Sequence, residues 1–318
     1  MNDICRSERR ARWLLALVVL IWGASWPVIK IGVTTVPPIW FACLRYGAAT
    51  VCLFVVLALR RELAWPAPSD WKLILVSGVL QMAAYSALTG LALTRLAPGR
   101  ASALAYSTPV WVVPLSIWWL HEEVPWRGRV GVVIGVAGVA AIVSPGLQPG
   151  LRDQLVPYLL LMGAAAVWAV SIVFVRGHPF QSSALVLAPW QTLVAALLLV
   201  PFALTLNGRF PEVDFRGIAS LAYVGPMATA LAYWAVVEAG RYLRPAVVSV
   251  ALLGVPILGL LISALTLHET VTASLGFGIV LIGASVLLTT IVGQTAVSDA
   301  SMRREVQQVD RFRRGRRP

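Results

Sequence analysis

The chain has 318 residues, of which 58% are hydrophobic and only 13% charged, and its formal net charge is +12. A soluble domain carries roughly twice that charged fraction. Stretches of about 17–25 apolar residues, enough to cross a hydrocarbon core of about 30 Å as helix, recur from end to end, which excludes a soluble globular class and points to a polytopic membrane protein.

Ten spans are expected in chain order, at 13–33, 38–59, 72–94, 100–120, 128–144, 155–176, 182–206, 217–239, 244–267 and 273–292. Each is helix, because every backbone group must be paired inside lipid. Pro37-Pro38, Pro66 with Pro68, Pro98-Gly99, Pro145-Gly146, Asn207-Gly208 and Arg244-Pro245 punctuate the breaks. Span 5 is short and carries Gly131 and Gly135 at a spacing that lets helices approach closely.

With ten spans, one side collects Arg6, Arg9, Arg10, Arg12, Arg60, Arg61, Lys72, Arg127, Arg129, Arg176, Arg241, Arg244 and seven arginines of the tail. The other side holds Arg95, Arg100, Arg152, Arg209 and Arg216. By the positive-inside rule both termini are cytoplasmic. The tail is read as a lipid-facing topology anchor and no nucleic-acid partner is expected. The basic start ahead of span 1 imitates a signal peptide, but span 1 has an internal counterpart and is read as uncleaved. Cys5, Cys43 and Cys52 have no metal spacing and imply no disulfide; neither metal nor cofactor is expected.

The chain repeats itself. At an offset of 147, Pro98 matches Pro245, Ser102 matches Ser249, Pro109 matches Pro256, Ser116 matches Ser263, and Leu120-His121-Glu122 matches Leu267-His268-Glu269. At 146, Trp22 and Ser25 match Trp168 and Ser171. A duplicated five-helix unit must sit upside down relative to its copy, the arrangement of alternating-access transporters with a site near the midplane. The expected units are a basic N-terminus (1–12), two inverted five-helix repeats (13–147 and 148–292) and a basic tail (293–318).

The two His-Glu pairs could bind metal, relay protons or terminate helices. "HEEVP" and "HETVT" lack the second His of a zinc-protease motif. The structural reading places each carboxylate at the start of span 5 or span 10, against the helix dipole.

"IWGASWPVIK" in span 1, an Arg within span 2 and a Pro-containing span 4 closing on "LHEEV", all echoed in the second half, resemble the ten-helix EamA-type members of the drug/metabolite transporter superfamily. Within it, the resemblance is to aromatic amino-acid exporters of the YddG type, and it covers about 13–292. It implies an all-α integral membrane protein of ten transmembrane helices in two inverted five-helix repeats, with helices 1, 3, 4, 6, 8 and 9 around the transport path. The second copy departs from the pattern by carrying Arg176 where Lys30 stands.

Polar and aromatic groups inside spans are the candidate substrate contacts. Arg45 costs about 2.5–3.5 kcal/mol at mid-helix unless it finds water or a partner. It either faces the cavity, biasing it toward anionic or zwitterionic solutes, or packs on backbone carbonyls at a helix end or snorkels outward; Gln191 is its repeat partner. Gln81, Tyr85 and Leu88 share one face of span 3, as Tyr223, Met227, Ala230 and Trp234 do in span 8. Tyr106, Trp111, Trp168 and Trp22 complete the set, which suits a solute with an apolar body and a polar head. Trp13, Trp40, Trp65, Trp71 and Trp126 sit at span ends, as interfacial belts do. Pro109 and Pro256 nominate spans 4 and 9 as gates.

No carboxylate stands in mid-membrane, and Glu238 is expected to pair with Arg241 three residues on. Catalytic spacing is absent, so no enzyme is expected. The expected function is a secondary transporter in the bacterial inner membrane, exporting aromatic and other neutral amino acids or similar small metabolites by alternating access. Proton-coupled drug or cation efflux is the alternative. A monomer suffices, since the repeat supplies both halves of a pathway, and the glycine faces of spans 5 and 10 offer a dimer surface.

Overall fold

The structure, a computed structural model, describes residues 2–144 and 155–289, and their side chains except at 2–6, 245 and 246. The Pro145-Gly146 break, the repeat boundary at 147, Arg152, the end of span 10 and the tail 293–318 lie outside the described residues, as do the side chains of Cys5 and Arg6.

Every regular element among the described residues is helical. They are α1 (Asn2–Thr35), α2 (Pro38–Leu59), α3 (Pro68–Leu93), α4a (Pro98–Ala105), α4b (Thr108–Leu120), α5 (Trp126–Val143), α6 (Leu155–Gly177), α7 (Ala184–Asn207), α8 (Phe215–Gly240), α9a (Pro245–Leu252), α9b (Gly254–Leu267) and α10 (Ala273–Thr289). Among the described residues nine segments are long and apolar enough to cross a membrane, counting α4 and α9 once each, and α10 is a shorter tenth. The protein is a multi-pass membrane protein of two inverted five-helix repeats.

The repeat shows in its irregularities as much as in its helices. α3 widens to a π-helix over Ser77–Ala84, and α8 does so over Val224–Leu231, 147 residues later. Glycine permits both. A Cβ on Gly78 would stand 2.9 Å from the Gln191 carbonyl oxygen, and one on Gly225 would stand 3.1 Å from that of Arg45. α4 breaks at Tyr106–Ser107 and α9 at Leu253. Each break lies just ahead of a proline, because Pro109 and Pro256 cannot donate to the carbonyls of Ala105 and Leu252. The Thr108 hydroxyl takes the Ala105 carbonyl at 2.8 Å.

α2 packs on α7, α1 on α8 and α9b, and α6 on α3 and α4b, around one continuous apolar core. The glycine face of α5 is used inside the chain: a Cβ on Gly138 would meet the Gly278 carbonyl oxygen at 3.0 Å, and one on Gly131 would meet Thr289 at 3.0 Å. Part of the glycine surface of spans 5 and 10 is therefore used in their own contact, while Gly276 and Gly283 face open space. Trp40 also departs from the interfacial expectation. It is 5% exposed and packs edge-on against Phe210, whereas Trp13, Trp65 and Trp126 are largely exposed.

Candidate functional site

The π-stretch of α3, the break in α4 and the middle of α6 converge. Tyr85 meets Trp168 edge-to-face, with ring centroids 4.4 Å apart. Ser171 donates to the Gln81 side-chain oxygen at 3.4 Å, one turn along α6 from Trp168. Tyr106, the residue at which α4a ends, lies within electrostatic reach of Tyr85, as does Arg45. All of these side chains except Ser171 are half-buried. Ring edges, an amide, hydroxyls and one guanidinium are therefore gathered in one region of the bundle.

Arg45 is not left to backbone carbonyls. Its Nε donates to Thr229 Oγ1 at 2.9 Å, and Thr229 in turn donates to the Val224 carbonyl at 2.8 Å. Its guanidinium carbon also stands 5.1 Å from the centre of the Tyr46 ring. Both π-stretches thus carry a polar contact, Gln81 in one and Thr229 in the other, as wide turns do when they present groups at functional sites.

The other candidates separate. Trp22 donates its indole N–H to the Ala228 carbonyl of the α8 π-stretch at 2.8 Å, and Trp234 packs against the apolar core. Gln191 is 8% exposed on α7, beside Gly78. The one-face expectation for span 8 fails: Met227 is 40% exposed and Ala230 is 5% exposed. The π-stretch changes the number of residues per turn, so spacing counted at 3.6 loses phase there. Pro109 and Pro256 sit at the start of α4b and α9b, beside the breaks. Sequence pattern does not mark Ser171, Thr229 or Ser86, whose hydroxyl meets Tyr46 at 2.7 Å, as cavity groups. Ser171 alone carried a signal, as the repeat of Ser25.

The His-Glu pairs are helix caps, differently from the expectation. His121 and His268 adopt left-handed backbone at φ 52° and 53°, ending α4b and α9b. Histidine is among the few residues with an appreciable left-handed population. Glu122 N–H and Glu269 N–H then reach back to the carbonyls of Ser116 and Ser263. The carboxylates, however, leave α5 and α10 alone. Glu269 caps the start of α4a, accepting from Gly99 N–H at 2.8 Å and Arg100 N–H at 3.1 Å. Glu122 instead stands 3.6 Å from Arg176 at the end of α6. Neither Glu122 nor Glu269 caps α5 or α10, because the left-handed turn aims each one across the bundle.

These contacts close one end. α9b packs against α4a and α4a against α1, whereas the symmetry-related pairs, α4b with α9a and α9a with α6, are not in comparable contact among the described residues. At the closed end Lys30 Nζ caps α3, donating to the Leu93 carbonyl at 2.6 Å and the Thr94 carbonyl at 3.2 Å. Burial holds the Glu269 carboxyl above the ordinary carboxylate range, opposed by the two N–H bonds and the Arg100 and Lys30 charges. Glu238 pairs with Arg241 at 3.1 Å at the parted end, as expected. No cluster of three His, Cys, Asp or Glu occurs among the described residues.

Known proteins agree with this architecture. The chain is 28% identical over 286 residues to the uncharacterized transporter YvbV of Bacillus subtilis (strain 168), covering 88% of this chain and 92% of that one. It is 27% identical over 288 residues to a probable amino-acid metabolite efflux pump of Escherichia coli (strain K12), covering 86% and 93%. A solved crystal structure, 19% identical, superposes with a TM-score of 0.60 over 89% of this chain and 98% of the other, which shows the fold. The model of the EamA-like transporter family matches residues 10–144 and 155–291, one match per repeat. With both halves matched, the chain belongs to the EamA-like transporter family of the drug/metabolite transporter superfamily, and it is a transporter rather than an enzyme.

Proposed function

We propose that the protein exports aromatic and other neutral amino acids, or similar small metabolites, across the bacterial inner membrane by alternating access, with both termini cytoplasmic. The observation that carries this reading is the cluster of Tyr85, Trp168, Gln81 and Ser171 with Arg45 in electrostatic reach. Edge-to-face aromatic partners add about 0.5–1.5 kcal/mol beyond the area they bury, and a solute ring could take such a place. The Arg45 guanidinium suits a carboxylate better than a cationic drug. Similarity to a probable amino-acid metabolite efflux pump supports the substrate class.

The basic side of the positive-inside count carries the parted end, so the described state opens to the cytoplasm and is closed toward the outside. Gating then lies in α4 and α9, hinged beside Pro109 and Pro256. No Asp or Glu occupies the middle of a span, which favours uncoupled or exchange transport over proton-coupled efflux.

The test is uptake of labelled aromatic and aliphatic amino acids into proteoliposomes, with and without a pH gradient. Saturable, trans-stimulated movement without a gradient is expected, with Arg45→Gln lowering apparent affinity about tenfold. No amino-acid movement, or movement only when protons flow, would sink the proposal.

A further inference from the structure

Outside the central cluster, at the closed end, a cavity of about 520 Å³ is lined by Arg95, Arg100, Tyr158, His268, Glu269 and Thr270. That volume falls in the range of small-ligand pockets. Its electrostatics are unbalanced. Among the described residues Glu269 is its one acid, and its two oxygens accept from the Gly99 and Arg100 N–H groups. Neither Arg95 nor Arg100 forms a side-chain ion pair within 4.0 Å among the described residues. Arg100 Nη1 donates to the Tyr158 hydroxyl at 3.0 Å, and its Nε is buried without a partner among the described residues.

Two guanidiniums therefore face a solvent-connected cavity that holds one carboxylate among the described residues, Glu269, so one positive charge is in excess there, and Arg100 retains an unused buried donor. Guanidinium is a planar fork that holds carboxylates through paired N–H bonds. The tyrosine and threonine hydroxyls can complete such a site.

We propose that this cavity is a second binding site, separate from the central cluster, for the carboxylate of a small water-borne organic anion or zwitterion. Arg100 contributes to the site through its side chain and to the α4a–α9b contact through its backbone N–H. An occupant held by Arg100 thus binds the closed end preferentially and shifts the protein toward it, since a ligand moves an equilibrium by its differential affinity. A phospholipid headgroup phosphate offers similar oxygens, but the cavity's connection to solvent and its size favour the free solute. The proposal is independent of which solute the central cluster carries.

The test uses the full chain in nanodiscs of neutral phosphatidylcholine, titrated with sodium propionate, with propionamide as the uncharged isostere, at constant ionic strength. Calorimetric titration and the thermal midpoint are both read. Saturable binding of propionate and none of propionamide is expected. Exposed Arg95→Gln should weaken propionate about tenfold, and Arg100→Gln at least as much. Arg100→Lys, which keeps the charge and loses the fork, should fall between wild type and Arg100→Gln, while Tyr85→Phe should bind as wild type does. Absence of saturable propionate binding, equal binding by Arg95→Gln, or loss of binding in Tyr85→Phe would each overturn the proposal. So would a midpoint that rises with phosphatidylglycerol in the disc and not with propionate, which would assign the cavity to a lipid headgroup. Amino-acid uptake failing in proteoliposomes would leave this outcome untouched.

Discussion

The turns "LHEEV" and "LHETV" fold alike and act differently. In both, histidine takes the left-handed position that ends the helix and the glutamate N–H reaches back to a buried serine carbonyl. Glu269 then bridges to the start of α4a, while Glu122 meets Arg176 in a half-exposed pair. A charge-assisted bond to a half-buried helix start is worth more than a surface ion pair, whose median is about 0–1 kcal/mol. Two copies of one motif thus sit at one closed and one parted end.

The strongest way to break this comparison is to tie the closed end shut. A Cβ on Gly259 would stand 3.5 Å from that of Ser102, at the near edge of disulfide geometry. With Cys5, Cys43 and Cys52 replaced by alanine, the pair Ser102→Cys and Gly259→Cys should cross-link on oxidation. Transport should fall at least about twentyfold, as loss of one of two alternating states requires, and reductant should restore it. The equivalent pair at the other end, Ser249→Cys with Val112→Cys, should cross-link far more slowly. Equal rates at the two ends would erase the asymmetry.

Removing the acids should separate the ends more gently. Glu269→Ala leaves the Gly99 and Arg100 N–H groups without a partner, at about 1–3 kcal/mol. Labelling of a Ser102→Cys reporter by a water-soluble maleimide should rise about tenfold. Glu122→Ala should change labelling of a Ser249→Cys reporter by less than about twofold.

Titration sharpens the same contrast. Burial raises the Glu269 carboxyl above its ordinary 4.5, so closure binds the proton more tightly than the solvated, open form does. The proton-linked part of its contribution to closure is fully present below 4.5 and is lost as pH rises through the raised value. Ser102→Cys labelling should therefore increase across that window and level off above it. Glu269→Gln keeps an acceptor without the charge, so its labelling should stay low and flat; a flat wild-type profile would contradict the assignment.

The smallest effect concerns the hinges. Thr108→Val leaves the Ala105 carbonyl unpaired and should cost about 1 kcal/mol, read from the thermal unfolding midpoint. Val255→Thr, at the equivalent place in α9b, should stabilise by no more than that by serving the Leu252 carbonyl.

Much of this architecture is determined by sequence alone. Spans of apolar residues dictate helices because lipid offers no partner to the backbone, and an odd-numbered repeat dictates inversion. The positions of Pro109 and Pro256 foretell the breaks in α4 and α9, since a missing N–H acts locally. The Glu238–Arg241 pair is legible for the same reason, lying within one turn. Gln81, Tyr85, Tyr106 and Trp168 could be nominated as inward-facing groups, but their meeting could not.

What only the tertiary structure decides depends on which helices touch. The π-stretches answer to close packing at Gly78 and Gly225 against α7 and α2, and they shift the side-chain phase that periodicity assumes. Arg45 finds Thr229, and Glu269 finds α4a, across 184 and 170 residues of chain. The burial of Trp40 and the engagement of the α5 glycines with α10 are decided in the same way. A charge in a membrane must find a partner, which sequence states as a demand; identifying the partner requires knowing which backbone amides and hydroxyls the packed helices leave within reach.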